Sequence, residues 1–423
     1  MGRNRVVVIV RVAGVAAVVA LAVLLGVRVQ ARNAREDLEA AFRKQVGSLD
    51  PAEYASPIVP DGENAAIWLR SAAAALVLDK DGKHLVGELS WLPAGSWSSQ
   101  QRNTLEHLIA RNAPALDLAE RGSTKPRSSF LLSGLEAAKV HTPIPLIDLI
   151  WLARLVEERA RLAVNEDDWQ AFRLSVKELA CLGASLERES PLIAQLVGIA
   201  CERMMAEATL VGVQAPQADR AALDGLDRVI PDVDLVAAWK RALGLMGAGV
   251  FSGTVDLHDM LDAGSTKLKV AVPTPAEYMR IVLSVAPLAS RPIGLDDALA
   301  ARLEKTKQLT ADRPIGDTLA GSLVRYQSIL SLRRVERLAI TLRLRALEVG
   351  SYPDTLAVWP DASAPDPFTG GALAYERRAD GSAVISVPGA ESLFNRINEL
   401  TSFITYTWEL PAPGRAAAGG AVR

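Results

Sequence analysis

The sequence predicts a mainly α-helical protein with an N-terminal transmembrane helix, a helical-hairpin body and a small C-terminal three-stranded antiparallel β subdomain. Three observations predict it. An apolar run from Val6 to Val27 is broken only by Arg11, alanine- and leucine-rich segments with helical period fill the middle of the chain, and the period changes after Gly350. The division that follows is an anchor or signal at 1–30, a stalk and linker at 31–60, a helical body at 61–349, a β subdomain at 350–410 and a disordered tail at 411–423.

The apolar run reaches the roughly 20 residues that cross a bilayer, and Arg11 can snorkel to the head groups. It exceeds the short apolar core of a secretion signal, so an uncleaved anchor is expected, although Val29-Gln30-Ala31 also fits a small-residue cleavage pattern. Arginines lie on both sides: Arg3, Arg5 and Arg11 before, Arg28, Arg32, Arg35, Arg43 and Lys44 after. A plain count of positive residues keeps the body inside, whereas the short basic head followed by an apolar run reads as an export signal. The expectation taken here is a single-pass inner-membrane protein with its body exported to the periplasm or cell surface.

Asn33 to Gln45 carries charge on most faces and reads as a solvated stalk continuing the membrane helix, ended by Pro51, Pro57 and Pro60. Asp61 to Leu78 opens with acidic, cap-forming residues and continues as a helix. Gly82 to Ser99, with Trp91 and Trp97, reads as irregular, and Gln101 to Arg121 as one amphipathic helix. Helices are then expected from Leu146 to about Val164, from the acidic Asn165–Asp168 start to about Arg188, and from the Ser190-Pro191 cap pair onward; the last two form an antiparallel hairpin. Helical signals continue at Val233–Met246, Pro275–Leu288 and about Asp317–Val349, the last stopped by Gly350. Ala372–Arg377 and Ser382–Val387 read as strands joined across Asp380-Gly381, a dipeptide of two-residue hairpin turns, and Thr401–Leu410 as a third strand.

The order N-A-A-I-W-L-R (Asn64–Arg70), E-S-P-L-I-A-Q-L-V-G-I-A (Glu189–Ala200), L-R-L-R-A-L-E-V-G-S-Y-P-D-T-L (Leu342–Leu356), D-P-F-T-G-G-A-L-A-Y (Asp366–Tyr375) and W-E-L-P (Trp408–Pro411) resembles a bacterial group of membrane-anchored or exported helical proteins without an assigned activity. The C-terminal unit is also similar to the globular end of type II secretion major pseudopilins. Gly350, Tyr352, Pro353, Asp366, Pro367 and Tyr375 match that pattern, and Ser386 falls near its S-x-G position. The resemblance implies a loop that can hold calcium. However, Gly389 to Asn398 offers one carboxylate where a hard cation wants several oxygens, and no pilin-type leader precedes the apolar run.

The composition excludes some functions. The 423 residues are 49% hydrophobic and 23% charged with a net charge of -2, enough apolar material for a large core and no electrostatic footprint for nucleic acid. Cys181 and Cys201 sit on the two arms of the hairpin. An oxidising compartment would allow a disulfide, but the register sets them about 4.5 Å off level, so a bridge and two buried thiols both stand as outcomes. His84, His107, His141 and His258 are scattered, and Asp256–Asp259 reads as a solvated loop leading into a helix start. Gly244 to Gly253 lacks a P-loop lysine and reads as a flexible helix end. Glu157-Glu158 and Asp167-Asp168 read as ordinary helix-surface and N-terminal charges.

No metal or cofactor ligand set and no catalytic constellation is expected. The residues singled out are structural: Cys181, Cys201, Gly350, Tyr352, Pro353, Asp366, Pro367, Gly370 and Tyr375. Asp366-Pro367 should start a tight turn whose side-chain bond is worth on the order of 1 kcal/mol, Gly370-Gly371 should supply permissive backbone, and Tyr375 and Ile385 should face inward. The functional expectation is a non-enzymatic envelope scaffold or binding module with the membrane and an envelope protein as partners. An enzyme using a cleft between the helices and the C-terminal unit is the competitor.

Overall fold

Among the described residues, Phe42 is the first that is fully buried. The computed structural model describes residues 28–30, 32–54, 58–130, 144–189, 191–253, 274–287, 314–357, 359, 364–390 and 406–413. The apolar run, the Ser190 cap, His141, His258 and residues 414–423 lie outside them. Among the described residues, no helix is long and apolar enough to cross a membrane.

Helix α1 (32–45) is exposed along its first turns, but its Phe42 is fully buried against α11 (Leu235–Ser252). A Cβ on Gly247 would come within 2.6 Å of the Phe42 ring, and one on Gly244 would clash with the ring of Tyr54, which a 3-10 turn at Pro51–Tyr54 presents. The Arg35 guanidinium lies 4.5 Å above the Phe251 ring. The segment is therefore clipped to the body, which corrects the solvated stalk. Gly244 to Gly253 is corrected with it: the helix runs regularly to Ser252, its glycines form the notches, and only Gly253, at φ +73, leaves it.

Helix α2 (Ala65–Ala75) is capped by Asn64, whose side chain accepts from the Ala66 amide and also exchanges hydrogen bonds with the Ser129 backbone. The stretch expected to be irregular contains α3 (Lys80–Leu89), capped by Asp79; its two glycines weaken the helical pattern, but Gly82 lets Leu108 approach. The single helix expected over 101–121 is two, α4 (Ser99–Arg111) and α5 (Ala113–Ser123). Asn112, fully buried between them, bonds the Val77 amide at 2.7 Å and the Val77 and Leu108 carbonyls, while Pro114 restarts the chain as a first-turn proline.

The centre is α6 (Leu146–Asn165), α7 (Trp169–Glu187) and α8 (Leu192–Gln214). Asp168 caps α7 through the Ala171 amide, and Pro191 occupies the cap position of α8. Short helices α9 (Arg220–Leu223) and α10 (Leu226–Val229) lead into α11, and α12 (Pro275–Val285) begins with a Thr274–Glu277 capping box. Helix α13 (Pro314–Val349) lies along α8, and Gly350, at φ +84, ends it with its amide on the Ala346 carbonyl.

The sheet has the order β1 (Ala374–Arg377), β2 (Ala383–Ser386), β3 (Thr407–Leu410), all antiparallel. Tyr375 pairs with Ile385, and Ile385 with Trp408, so the inward face is continuous. The turn is not the two-residue type expected. Gly381 donates to the Arg378 carbonyl and then takes φ +82 before Ser382, so a three-residue loop with a left-handed glycine closes the hairpin. Ile385, Trp408 and Leu410 belong to the same contiguous core as the helices.

Candidate functional site

The densest polar chemistry lies inside the helices, where α7, α8 and α13 meet. Gly183 and Gly198 bring the hairpin arms together: a Cβ on Gly198 would stand 2.8 Å from the Gly183 carbonyl oxygen, and one on Gly183 would stand 2.7 Å from Glu202 Cγ. Four residues after each glycine comes a glutamate, Glu187 on α7 and Glu202 on α8, so the antiparallel crossing sets the two acids side by side. Arg333 of α13 then closes the group. Its Nε donates to Glu202 at 2.7 Å, its Nη2 to Glu187 at 2.6 Å and also to Glu202, and its Nη1 to the Val233 carbonyl at 2.9 Å.

All three side chains are essentially out of water. Burial pushes the Glu187 carboxyl well above the usual range, and the neighbouring Glu202, with which it shares a hydrogen bond, pushes the same way. Burial alone would lower Arg333, but the two carboxylates hold its pKa above the ordinary value. Two carboxyl groups thus face one guanidinium in a site closed to water. One turn along α13, Glu336 is fully buried, and burial pushes it up to about 8 against the opposing effect of Thr209.

Further buried acids extend the array, correcting the reading of Glu157-Glu158 as surface charges. Glu157 shares a hydrogen bond with Glu207, and burial followed by the charge of Glu207 raises it well above its ordinary value. Glu158, raised by burial to about 7, takes Arg161 Nη1 at 3.0 Å on both oxygens. Arg161 also donates to the carbonyls of Leu89 and Leu92 and lies 5.1 Å from the Trp97 ring, so it fixes the end of α3 to α6. Glu178, likewise raised by burial to about 7, pairs with Arg159 at 2.9 Å. Gln195 bonds the carbonyls of Glu189 and Ala238 and receives the Tyr326 hydroxyl, linking α8 to α11 and α13. Chemically the array can hold protons and lock helix register; its arginines terminate on carboxylates and backbone carbonyls.

The residues read from sequence lie elsewhere. Asp366 is fully buried, and its carboxylate accepts from Ser331 Oγ, the Phe368 and Thr369 amides and Thr369 Oγ1, at 2.7 to 3.0 Å. These partners are donors, which suit a turn anchored to α13 rather than a bound cation. Pro367 needs no partner in that turn, and Gly370, at φ +73, returns its amide to the Asp366 carbonyl at 2.8 Å. Tyr352 is buried with its hydroxyl on the Pro411 carbonyl, which Arg343 also holds, so Pro411, expected to open the tail, is anchored to α13. The Tyr375 hydroxyl donates to the Pro353 carbonyl at 2.6 Å.

Cys181 and Cys201 are both free thiols, Cys201 fully buried and Cys181 half-buried with its sulfur 3.8 Å from Ser185 Oγ. Burial raises both, Cys181 to about 11. His84 and His107 are exposed, and among the described residues no three His, Cys, Asp or Glu side chains are placed to hold a metal ion.

The acids were missed because the outward signal is faint. It consists of two G-x-x-x-E spacings, Gly183–Glu187 and Gly198–Glu202, and an R-R-V-E inside an apolar helix at Arg333–Glu336. No family model, no curated protein and no solved structure matches the chain.

Proposed function

We propose that the protein is a non-enzymatic scaffold or binding module of the cell envelope, held at the inner membrane by Val6–Val27 with its body exported. The observation that carries this reading is the clip of α1 onto α11 through Phe42, Tyr54 and the glycine notches. A body clipped just beyond an apolar run is presented at a set height, about 1.5 Å per helical residue, which suits a fixed platform. The use of the buried charge fits the same role, since Arg159 of α6 and Arg333 of α13 are spent on joining helices. The residues at the junction of helices and sheet, Ser331, Asp366, Arg343 and Tyr352, bond one another or the Pro411 carbonyl, a use that suits a fixed joint.

The test is fractionation of the full chain. Alkaline carbonate should leave it in the membrane pellet, deletion of residues 6–27 should release a folded body, and protease outside spheroplasts should digest the part beyond about residue 30. Full protease protection overturns the exported orientation. Release of the intact chain by carbonate overturns the anchor. A hydrolytic turnover that Glu336→Gln abolishes without unfolding the protein would replace the scaffold reading with the enzymatic one.

A further inference from the structure

Glu336 stands apart from the other buried acids. It is fully buried at the face of α13 that meets α8, and neither carboxyl oxygen has a hydrogen bond of ordinary geometry among the described residues; the same holds for Glu178, but Glu178 pairs with Arg159, whereas no ion pair reaches Glu336 among the described residues. The guanidinium that could neutralise it, Arg333, is committed to Glu187 and Glu202. Three carboxyl groups thus share one buried guanidinium. An unpaired buried carboxylate is costly enough that the group takes a proton instead.

The surrounding charges relieve it only in part: Arg333 and Arg337 act against the burial, and Glu202 acts with it. From α8 come Glu202 and Thr209; Arg203 is paired with Glu207. From α7 comes Glu187, and from α13 itself Arg337, which turns to the Ile230 and Pro231 carbonyls and toward Asp232. Arg220 of α9 pairs with Glu348, and Asp227 and Arg228 of α10 are exposed. Helix α11 contributes Arg241 and Lys240, α12 contributes the buried Tyr278 with Glu277 in its capping box, and Glu409 of β3 pairs with Arg378.

We propose that Glu336 is a proton-operated latch between α13 and the α7–α8 hairpin: protonated, it keeps the long helix and the sheet it carries seated, and loss of its proton loosens both. The sheet follows because Asp366 is fastened to α13 through Ser331, and the strands pack on α13 and α8. On opening, the carboxyl proton passes to solvent and the carboxylate becomes hydrated.

The sign follows from burial. A carboxyl raised to about 8 when closed, and ordinary when exposed, contributes its full stabilisation below the ordinary carboxylate pKa. That contribution is lost as pH rises to about 8, above which both states are ionised and the effect levels off. Opening should therefore grow about tenfold per pH unit within the window.

Hydrogen exchange of the full chain from pH 5 to 9 tests this, with peptides of α2 to α5 correcting for the intrinsic base-catalysed rate. Peptides from α13 and the sheet should show an excess rise of about tenfold per unit, levelling near the closed-state pKa. Glu336→Gln should lower that slope by about one proton, and Thr209→Val, which removes a hydroxyl that favours the anion, should move the levelling point to higher pH. A wild-type slope retained in Glu336→Gln overturns the proposal, as does exchange in α13 that only tracks the reference helices. Should Glu336→Gln fail to fold, the wild-type profile decides alone: α13 and sheet peptides with no excess slope over the reference helices between pH 5 and 9 overturn the latch.

Discussion

Asp366 and Glu187 are both acids with no exposed surface, and they reach that state by opposite routes. Asp366 is satisfied mostly from within its own turn, by Phe368 and Thr369, with Ser331 reaching it from α13. Glu187 is satisfied from far away, by an arginine 146 positions along the chain, and only because two helices cross closely enough to set Glu202 beside it. The C-terminal unit thus stabilises a charge with dipoles from neighbouring residues. The hairpin does so with a counter-charge brought from another helix. A locally solvated acid tolerates loss of one donor, whereas a triad built on one guanidinium fails as a unit.

The largest expected effect sharpens that contrast. Arg333→Met leaves Glu187 and Glu202 facing each other without a cation, and should cost about 3–5 kcal/mol in urea unfolding. Adding Glu187→Gln and Glu202→Gln to the same chain should recover most of the loss, because the uncompensated charge goes with them. A cost under about 1 kcal/mol for the single variant would mean the hairpin does not depend on a counter-charge. Next comes Asp366→Asn. It keeps the shape of the turn but replaces one acceptor oxygen by an amide and removes the charge, so about 2–3 kcal/mol is expected by the same measurement. That exceeds the 1 kcal/mol scale suggested by sequence, because Ser331 reaches the carboxylate from α13 and the site is closed to water.

The difference in routes also explains what could be read in advance. Gly350, Asp366-Pro367 and Gly370 are signals contained within a few residues, and each lies where expected; of the strand expected over Thr401–Leu410, the described part is β3 at Thr407–Leu410. The hairpin helices were legible for the same reason, from Asp168 and the apolar period. The array between them was not, since only the faint Gly183–Glu187 spacing sets Glu187 apart from a surface acid; its partner Arg333 lies on another helix. Phe42 presents the same problem. One aromatic residue in a charged segment reads as a stalk until the Gly244 and Gly247 notches, far downstream, give it a seat. The cysteines sat between these cases. Register alone kept a bridge and free thiols both open, and the structure has free thiols.

Gly198→Ala probes the crossing rather than the charges. The new methyl would meet the Gly183 carbonyl at 2.8 Å and the Glu187 amide nitrogen at 2.9 Å, both backbone atoms that cannot turn aside. The arms must separate by a fraction of an ångström, which should cost about 1–3 kcal/mol and lower the melting temperature. The separation also stretches the Arg333 contacts, so Gly198→Ala and Arg333→Met should be less than additive in a double-mutant cycle. Strict additivity would show that the glycine contact and the triad are independent.

The smallest expected effect belongs to the C-terminal unit. Tyr375→Phe removes a hydroxyl that donates to the Pro353 carbonyl at 2.6 Å and leaves the ring in place against Ile385. Burial, with Tyr352 nearby, holds this phenol up at about 12, so it stays a donor through neutral pH and the loss should not vary with pH there. The ring is only half-buried, and the released carbonyl can find water, so the cost should be about 0.5–1.5 kcal/mol. Because the bond joins β1 to the exit from α13, the loss should appear as faster hydrogen exchange in β1 and its hairpin partner, with α7 and α8 unchanged. Faster exchange across the hairpin as well would mean that the sheet and the acid array open as one unit, and that the local and distant routes to burying an acid are mechanically coupled.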